Sequence, residues 1–291
     1  MEYFSSNKAI ILKNKTCPYC GIELNEENST KEHVIGRKFV PKGSLVNSWN
    51  LILKACSKCN NRKSDLEDDI SAITQIEASS LEKSEGRRLE IRKKAENSYS
   101  RRTKKSVLKS IEKITIPFSL GEDINATLSL IANRQINDDR AKELSIMYLK
   151  AFFYLLTYEE DESIGHFWPG AYMYLKKSDR SNWGNAINKQ FLSTIKKWEL
   201  RFNGIAADYN FKCNIRKNID LECWSWALEW NQNTRIIGFF GNENSIREII
   251  LKFKPEEYGI ITNGNDETIK IIKDIPVLDQ DDAIFIGNED T

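Results

Sequence analysis

Four of the six cysteines stand in two pairs of identical spacing, Cys17-Pro18-Tyr19-Cys20 and Cys56-Ser57-Lys58-Cys59. A two-residue gap lets successive thiolates grip one ion from a tight turn. Four soft sulfur ligands make a closed tetrahedral Zn2+ site, structural because no position is left for substrate. Such an ion contributes on the order of 10 kcal/mol of folding free energy, enough to hold a unit that lacks a large core. Cys213 and Cys223 are too far apart for a knuckle and read as buried thiols. A zinc ribbon commonly separates its pairs by about 15 to 20 residues, but here 35 residues intervene. The insert carries Glu32-His33, with His33 one of only two histidines in the chain, and Asn50-Leu51 near its end. The second pair continues as Asn60-Asn61-Arg62-Lys63, which can start a helix whose first turn presents Asn60 toward the same place. The other histidine, His166, has no carboxylate or cysteine at ligand spacing and reads as structural.

Taken in order, Cys17-x-x-Cys20, Glu32-His33, Asn50-Leu51 and Cys56-x-x-Cys59-Asn60-x-x-Lys63 resemble the HNH, or ββα-metal, endonucleases, in the branch stapled by a four-cysteine zinc. The resemblance covers about residues 15–70. It implies a β-hairpin carrying the histidine, a following helix carrying the last metal ligand, and a zinc ion clamping one to the other. By the family's pattern His33 is the general base that takes a proton from water, a contribution of about 100 to 10,000-fold in rate. Glu32 and Asn60 would hold one catalytic Mg2+ or Mn2+ through hard oxygens. Asn50 would bond the loop backbone and hold His33 in aim, and Lys63, one turn into the helix, would touch phosphate. Glu32 stands where many zinc-stapled relatives have Asp. Ser64, four positions after Asn60, is a poor ligand, which leaves water and phosphate to complete the shell. Glu67 falls on the same helical face and could be an outer carboxylate, although its place in the run Asp65 to Asp69 favours an exposed acid.

The elements that must position these residues belong to an ordinary globular chain of 291 residues, 40% hydrophobic and 29% charged, long enough for two domains. No apolar run approaches the roughly 20 residues that cross a bilayer, so no membrane is expected. The first residues lack the basic, apolar and small-residue order of a secretory signal, so the expected compartment is cytoplasmic, where reduced thiols favour metal over disulfides. A net charge of +1 conceals a polarity: residues 1–110 carry 22 basic and 14 acidic side chains, the remainder 21 and 28. The excess lies in Arg87, Arg88, Arg92, Lys93, Lys94, Arg101, Arg102, Lys104 and Lys105. Taken alone such a run is as well explained by a solvated helix face. Beside a nuclease motif it suits sequence-independent contact with phosphates.

Beyond residue 110 periodicity predicts strands over Ile111 to Phe118 and Ile124 to Ile131, and a helix from Asp138, capped by Asn137, to Tyr158. It predicts a second helix over Ala186 to Phe202 and a hairpin in which Trp224, Trp226, Leu228 and Trp230 alternate with small or polar residues before turning at Asn231. Further strands fit Tyr258 to Thr262 and Thr268 to Lys273, ahead of an acidic tail. The expected fold class is α+β: a zinc-stapled ββα-metal domain over 1–75, a basic helical connector over 76–110, and a mixed α+β recognition or regulatory domain of unassigned fold over 111–291. The expected function is a metal-dependent DNA endonuclease or nickase, and by analogy only a role in bacterial restriction or anti-phage defence. A catalytically inactive zinc-dependent DNA-binding module and an RNA-directed nuclease are the alternatives. A regulatory partner at the acidic C-terminal part and a homodimer, which would supply a second copy for double-strand breaks, both stay open.

Overall fold

A computed structural model describes residues 3–4, 8–119, 125–167, 170–256, 259–262, 268–271 and 274–286. After β1 (Tyr3–Phe4) come β2 (Ile10–Ile11), β3 (Ser29–His33) and β4 (Leu51–Cys56), which form a three-stranded sheet in the order β2-β4-β3. The β3–β4 pair is antiparallel, with Glu32 opposite Leu53 and His33 opposite Ile52. Helix α1 (Ser57–Glu77) follows β4 without a linker, because Cys56 has extended backbone and its sulfur accepts from the Cys59 N–H, doing the work of an N-cap. Leu66, Ile70 and Ile73, at helical spacing, bury its inner face. Helix α2 (Glu85–Asn97), capped by the Ser84 hydroxyl, is the only helical part of the basic segment among its described residues longer than one turn. Residues 98–110 fold back instead, with Val107 N–H donating to the Ser98 carbonyl, so the expected helical connector is helical for half its length.

Strands β5 (Glu112–Ser119) and β6 (Asn125–Ala132) pair as the alternation predicts; the turn between them lies outside the described residues. Helix α3 (Asp138–Leu156) is capped by Asn137, with Asp138 and Asp139 in its first turn where the helix dipole favours them. The rest is β7 (Ala171–Asp179), α4 (Ala186–Ile195), β8 (Glu199–Ala206), β9 (Phe211–Asn218), β10 (Cys223–Trp230), β11 (Thr234–Gly241), α5 (Glu243–Ile250), and a small pair, β12 (Gly259–Thr262) with β13 (Thr268–Ile271). The predicted helix over Ala186 to Phe202 is therefore too long. Its apolar spacing does run to Trp198, but Leu200 and Phe202 then alternate inward and take partners on β9. Pairing with the sheet outweighs the continuation of the helical pattern. The ends of the predicted last strands, 258 and 272–273, lie outside the described residues.

Six strands form one sheet in the order β1-β8-β9-β10-β11-β7, antiparallel except for β1 beside β8. Its central strand β10 is buried along its whole length, because each face has its own core. Trp224, Trp226, Leu228 and Trp230 face the layer that contains α3 and the N-terminal unit. Cys223 and Ala227 face α4, α5 and Ile284-Phe285. The first of these cores is continuous from Leu12 to Phe240, so the segments 1–75, 76–110 and 111–291 share it.

Trp49 shows how they are joined: its indole N–H donates to the Ile205 carbonyl at 2.7 Å, and its ring packs edge-on to Phe152 and Phe202. Phe39 packs against Tyr148 and Trp230, and Asn231 Nδ2 reaches the Thr74 hydroxyl and the Phe39 carbonyl. Trp49→Ala should cost about 3 to 5 kcal/mol, and calorimetry should show the whole chain melting earlier in one transition. Independent melting of the N-terminal unit would contradict the shared core.

Candidate metal centre and the polar cluster beside it

The sulfurs of Cys17, Cys20, Cys56 and Cys59 all lie within 4.8 Å of one another, in a group that could hold a metal ion such as zinc. Cys20 and Cys56 sulfurs are 3.7 Å apart, close to the edge of about 3.8 Å that follows from Zn–S bonds of about 2.3 Å in a tetrahedron. Local geometry explains the convergence. The Gly21 N–H donates to the Cys17 carbonyl, and Gly21 takes φ +79, which closes the first knuckle at a position suited to glycine. Asn14 holds that knuckle against β4, its amide donating to the Lys54 carbonyl and its oxygen accepting the Lys54 N–H, both at 2.8 Å. The second knuckle is the junction of β4 with α1.

The thiols titrate in the pattern of crowded sulfurs. Burial pushes Cys17 up to about 11 and raises Cys59 further, with the neighbouring thiols adding to the Cys59 shift. Burial opposes ionisation of Cys56 as well, but hydrogen bonds from the Cys59 backbone and the other thiols draw it down. Sulfurs held this close repel one another as thiolates, and a divalent cation reverses that preference.

Tyr19, inside the first knuckle, is almost fully buried and donates to Glu32 Oε1 at 2.9 Å. Lys63 Nζ lies 3.0 Å from the same oxygen and 2.5 Å from Glu67 Oε1, and the Tyr148 hydroxyl donates to Glu67 at 2.9 Å. One ammonium, two carboxylates and two phenols thus form a closed cluster between the knuckle, β3, α1 and α3. Burial works against the Lys63 charge, but Glu67 and Glu32 outweigh it and hold the amine above its ordinary value. Burial raises Glu67, and Lys63 only partly offsets it. Gly36 lies so close that a Cβ there would run into the Glu67 carboxylate.

Two sequence expectations are corrected here. Lys63 is not at the surface to meet phosphate; it is 1% exposed, because two carboxylates and the Tyr148 ring enclose it. Glu67 is not an exposed acid of the Asp65 to Asp69 run but part of this cluster. Asn60 donates to the Thr30 hydroxyl at 2.7 Å. Thr30 and Glu32, two residues apart, share a face of β3, so the first turn of α1 covers the face that carries Glu32. His33 ends the strand and by alternation turns to the other face, half-buried, with Nε2 3.0 Å from Arg37 Nη2. Guanidinium only donates, so Nε2 holds the lone pair and the imidazole is neutral. Burial lowers the His33 pKa, Arg37 and Lys31 add to the shift, and Glu32 is near enough to oppose it. Asn50 fixes the chain just beyond: its oxygen accepts the Ile35 N–H at 3.0 Å and its amide donates to the Ile35 carbonyl at 2.8 Å.

The predicted phosphate-binding cations divide. Arg101 pairs with Asp65, Arg102 with Glu112, and Arg87 lies within 3.7 Å of Glu82 and Asp208. Lys94 donates to the Lys38 carbonyl. Arg88, Arg92, Lys93, Lys104 and Lys105 are exposed and, among the described residues, in no ion pair. Sequence reasoning missed Tyr19, Arg37 and Tyr148. The i,i+4 spacing of Lys63 and Glu67 was a readable signal; Tyr148 had none, since its approach depends on the docking of α3. Among the described residues no helix is long and apolar enough to cross a membrane. Comparisons of the chain with family models, with curated proteins and with solved structures find no match.

Metal analysis of the purified protein should find about one tightly held zinc per chain; Cys17→Ser or Cys59→Ser should lose it and lower the melting temperature. Zinc-free wild-type protein of unchanged stability would contradict the centre. Lys63→Met leaves two buried carboxylates without their cation and should cost about 3 to 5 kcal/mol, read from the denaturant midpoint. Glu67→Gln should cost less.

Proposed function

We propose that the chain is an endonuclease of the zinc-stapled HNH kind, hydrolysing phosphodiester bonds of DNA one strand at a time. The observation that carries this reading is the antiparallel β3–β4 pair running straight into α1, with four cysteine sulfurs at the junction and a neutral histidine at the end of β3. Order along the chain and element types are those the resemblance implies over the same residues, while Lys63 is buried and His33 lies on the face of β3 opposite Glu32.

His33 takes the proton of the attacking water at Nε2, the atom that carries the lone pair. Arg37 covers that atom in the absence of substrate, and an incoming phosphate draws the guanidinium toward its own oxygens, exposing the base. Asn50 keeps the ring aimed by fixing the backbone two residues on. Tyr19 and Lys63 occupy Oε1 of Glu32, and the Asn60 amide is spent on Thr30. Glu32 Oε2 on β3 and Asn60 Oδ1 on α1 are the hard oxygens that would hold a single Mg2+ or Mn2+ in this reading. Bound there, the ion would supply charge to the leaving oxygen.

A second reading, a zinc-dependent DNA-binding module without cleavage, is favoured by one observation: the Lys63 ammonium already neutralises Glu32. Supercoiled plasmid separates the two. With Mg2+ or Mn2+ the protein should yield nicked circles, and His33→Ala should lower the rate by at least 100-fold while zinc content and melting temperature hold. DNA binding without any nicked product would favour the module, and cleavage of matched RNA in preference to DNA would redirect the substrate. The lowered His33 pKa belongs to the free protein with Arg37 beside the ring, so the acid limb of kcat/KM should have its midpoint below 6.5.

A further inference from the structure

Between α1, α2 and the segment that follows His33 lies a cavity of about 620 Å3. Its volume falls within the range of about 300 to 1,000 Å3 typical of small-ligand sites, so it suits a nucleotide and not a duplex. The charges that line it do not cancel. Asp65 is taken by Arg62, Arg101 and Arg140, Glu67 by Lys63, and Glu90 by Lys42. That leaves Arg37, Lys38 and Lys94 against Asp68. Among the described residues no carboxylate lies within ion-pair distance of Arg37, Lys38 or Lys94; Arg37 is hydrogen-bonded to His33 and Lys94 to the Lys38 carbonyl. Burial pushes the Lys94 amine down to about 8, a strain that an anion beside it would relieve.

The same lining holds Val40, Pro41 and Ile91, an apolar surface for one face of a base, and Asp68, which can accept from an exocyclic amine. A second cavity of about 400 Å3, which shares Pro41, Gln75, Arg87 and Ile91 with the first, reaches Asn210 and Gln232. Two cavities with a shared wall suit successive nucleotides of one strand.

We propose that this cleft binds an unpaired stretch of the DNA strand, seating one nucleotide with its phosphate against Arg37, Lys38 and Lys94. The inference rests on the nucleolytic reading above and names its substrate class: DNA with a single-stranded segment beside the cut. Arg37 then serves both places, leaving His33 as it turns to the seated phosphate, so that occupation of the cleft and exposure of the base go together.

Binding is measured without cleavage, on zinc-loaded His33→Ala protein with no Mg2+, by fluorescence anisotropy of labelled oligothymidine, blunt duplex and duplex with an unpaired tail. The tailed duplex and the single strand should bind at least about tenfold more tightly than the blunt duplex. Lys38→Ala/Lys94→Ala should abolish that preference and reduce the salt dependence on the single strand by about 1.4 in log–log slope, the value for two lost phosphate contacts. Arg88→Ala/Arg92→Ala, on the exposed side of α2, should weaken all three probes alike and keep the preference. Equal affinity for blunt and tailed DNA, or a preference that survives loss of Lys38 and Lys94, overturns the proposal. A mononucleotide that competes as well as the oligothymidine also overturns it, since the cleft would then be a free-nucleotide site. If the plasmid assay shows no nicking but the preference appears and depends on these lysines, the cleft stands and the nuclease reading alone fails.

Discussion

The convergence of four sulfurs is the constraint from which the rest of the site follows. Its members come from two turns 35 residues apart, and each does a second task. Cys56 both contributes a sulfur and caps α1, so the start of the helix is fixed by the same atom that fixes the strand before it. The first knuckle carries Tyr19, whose hydroxyl reaches Glu32. Drawing the sulfurs together therefore orients a carboxylate one residue from the histidine, through a single hydrogen bond. Conversely, loosening the knuckle would release a buried phenol and leave Glu32 with Lys63 alone.

The cluster around Lys63 is costly to bury and specific once formed. Burial disfavours the charge on Glu67 and on Lys63, and the opposite charge beside each one offsets that cost. Its members come from the first knuckle, β3, α1 and α3, so the charges are satisfied only when all four elements are docked. The closed network also divides labour among atoms of one side chain: Tyr19 and Lys63 use one oxygen of Glu32 and leave the other. What an apolar core would give in stability is exchanged here for a fixed orientation beside the histidine.

Much of this was legible in the chain itself where the signal is local. The matched cysteine pairs, the cap at Asn137 and the tryptophan alternation of β10 follow from spacing and residue type, and the backbone bonds of Asn50 from the resemblance. The errors arose where distant segments decide. Lys63 read as a surface cation because only the arrival of Tyr148 and Glu32 makes it internal. The apolar spacing after Ala186 read as one long helix because nothing local tells Leu200 that β9 awaits it. The basic run read as one surface, yet four of its nine cations are spent within the molecule on partners such as Asp65 and Glu112. Residue type gives the charge; only packing gives the partner.

The pairing of β1 with β8 and the reach of Tyr148 to Glu67 bear on how the molecule is made. A ribosome releases the knuckles, His33 and α1 long before α3 and β8 exist. During that interval Glu67 has no phenol, Trp49 has no carbonyl to bind and the continuous core is incomplete. Vectorial synthesis thus delivers the cysteine-bearing segment unfinished and completes it only when the second half of the polypeptide has emerged. A truncated product cannot assemble the full cluster, so its charges find their partners only in the finished polypeptide.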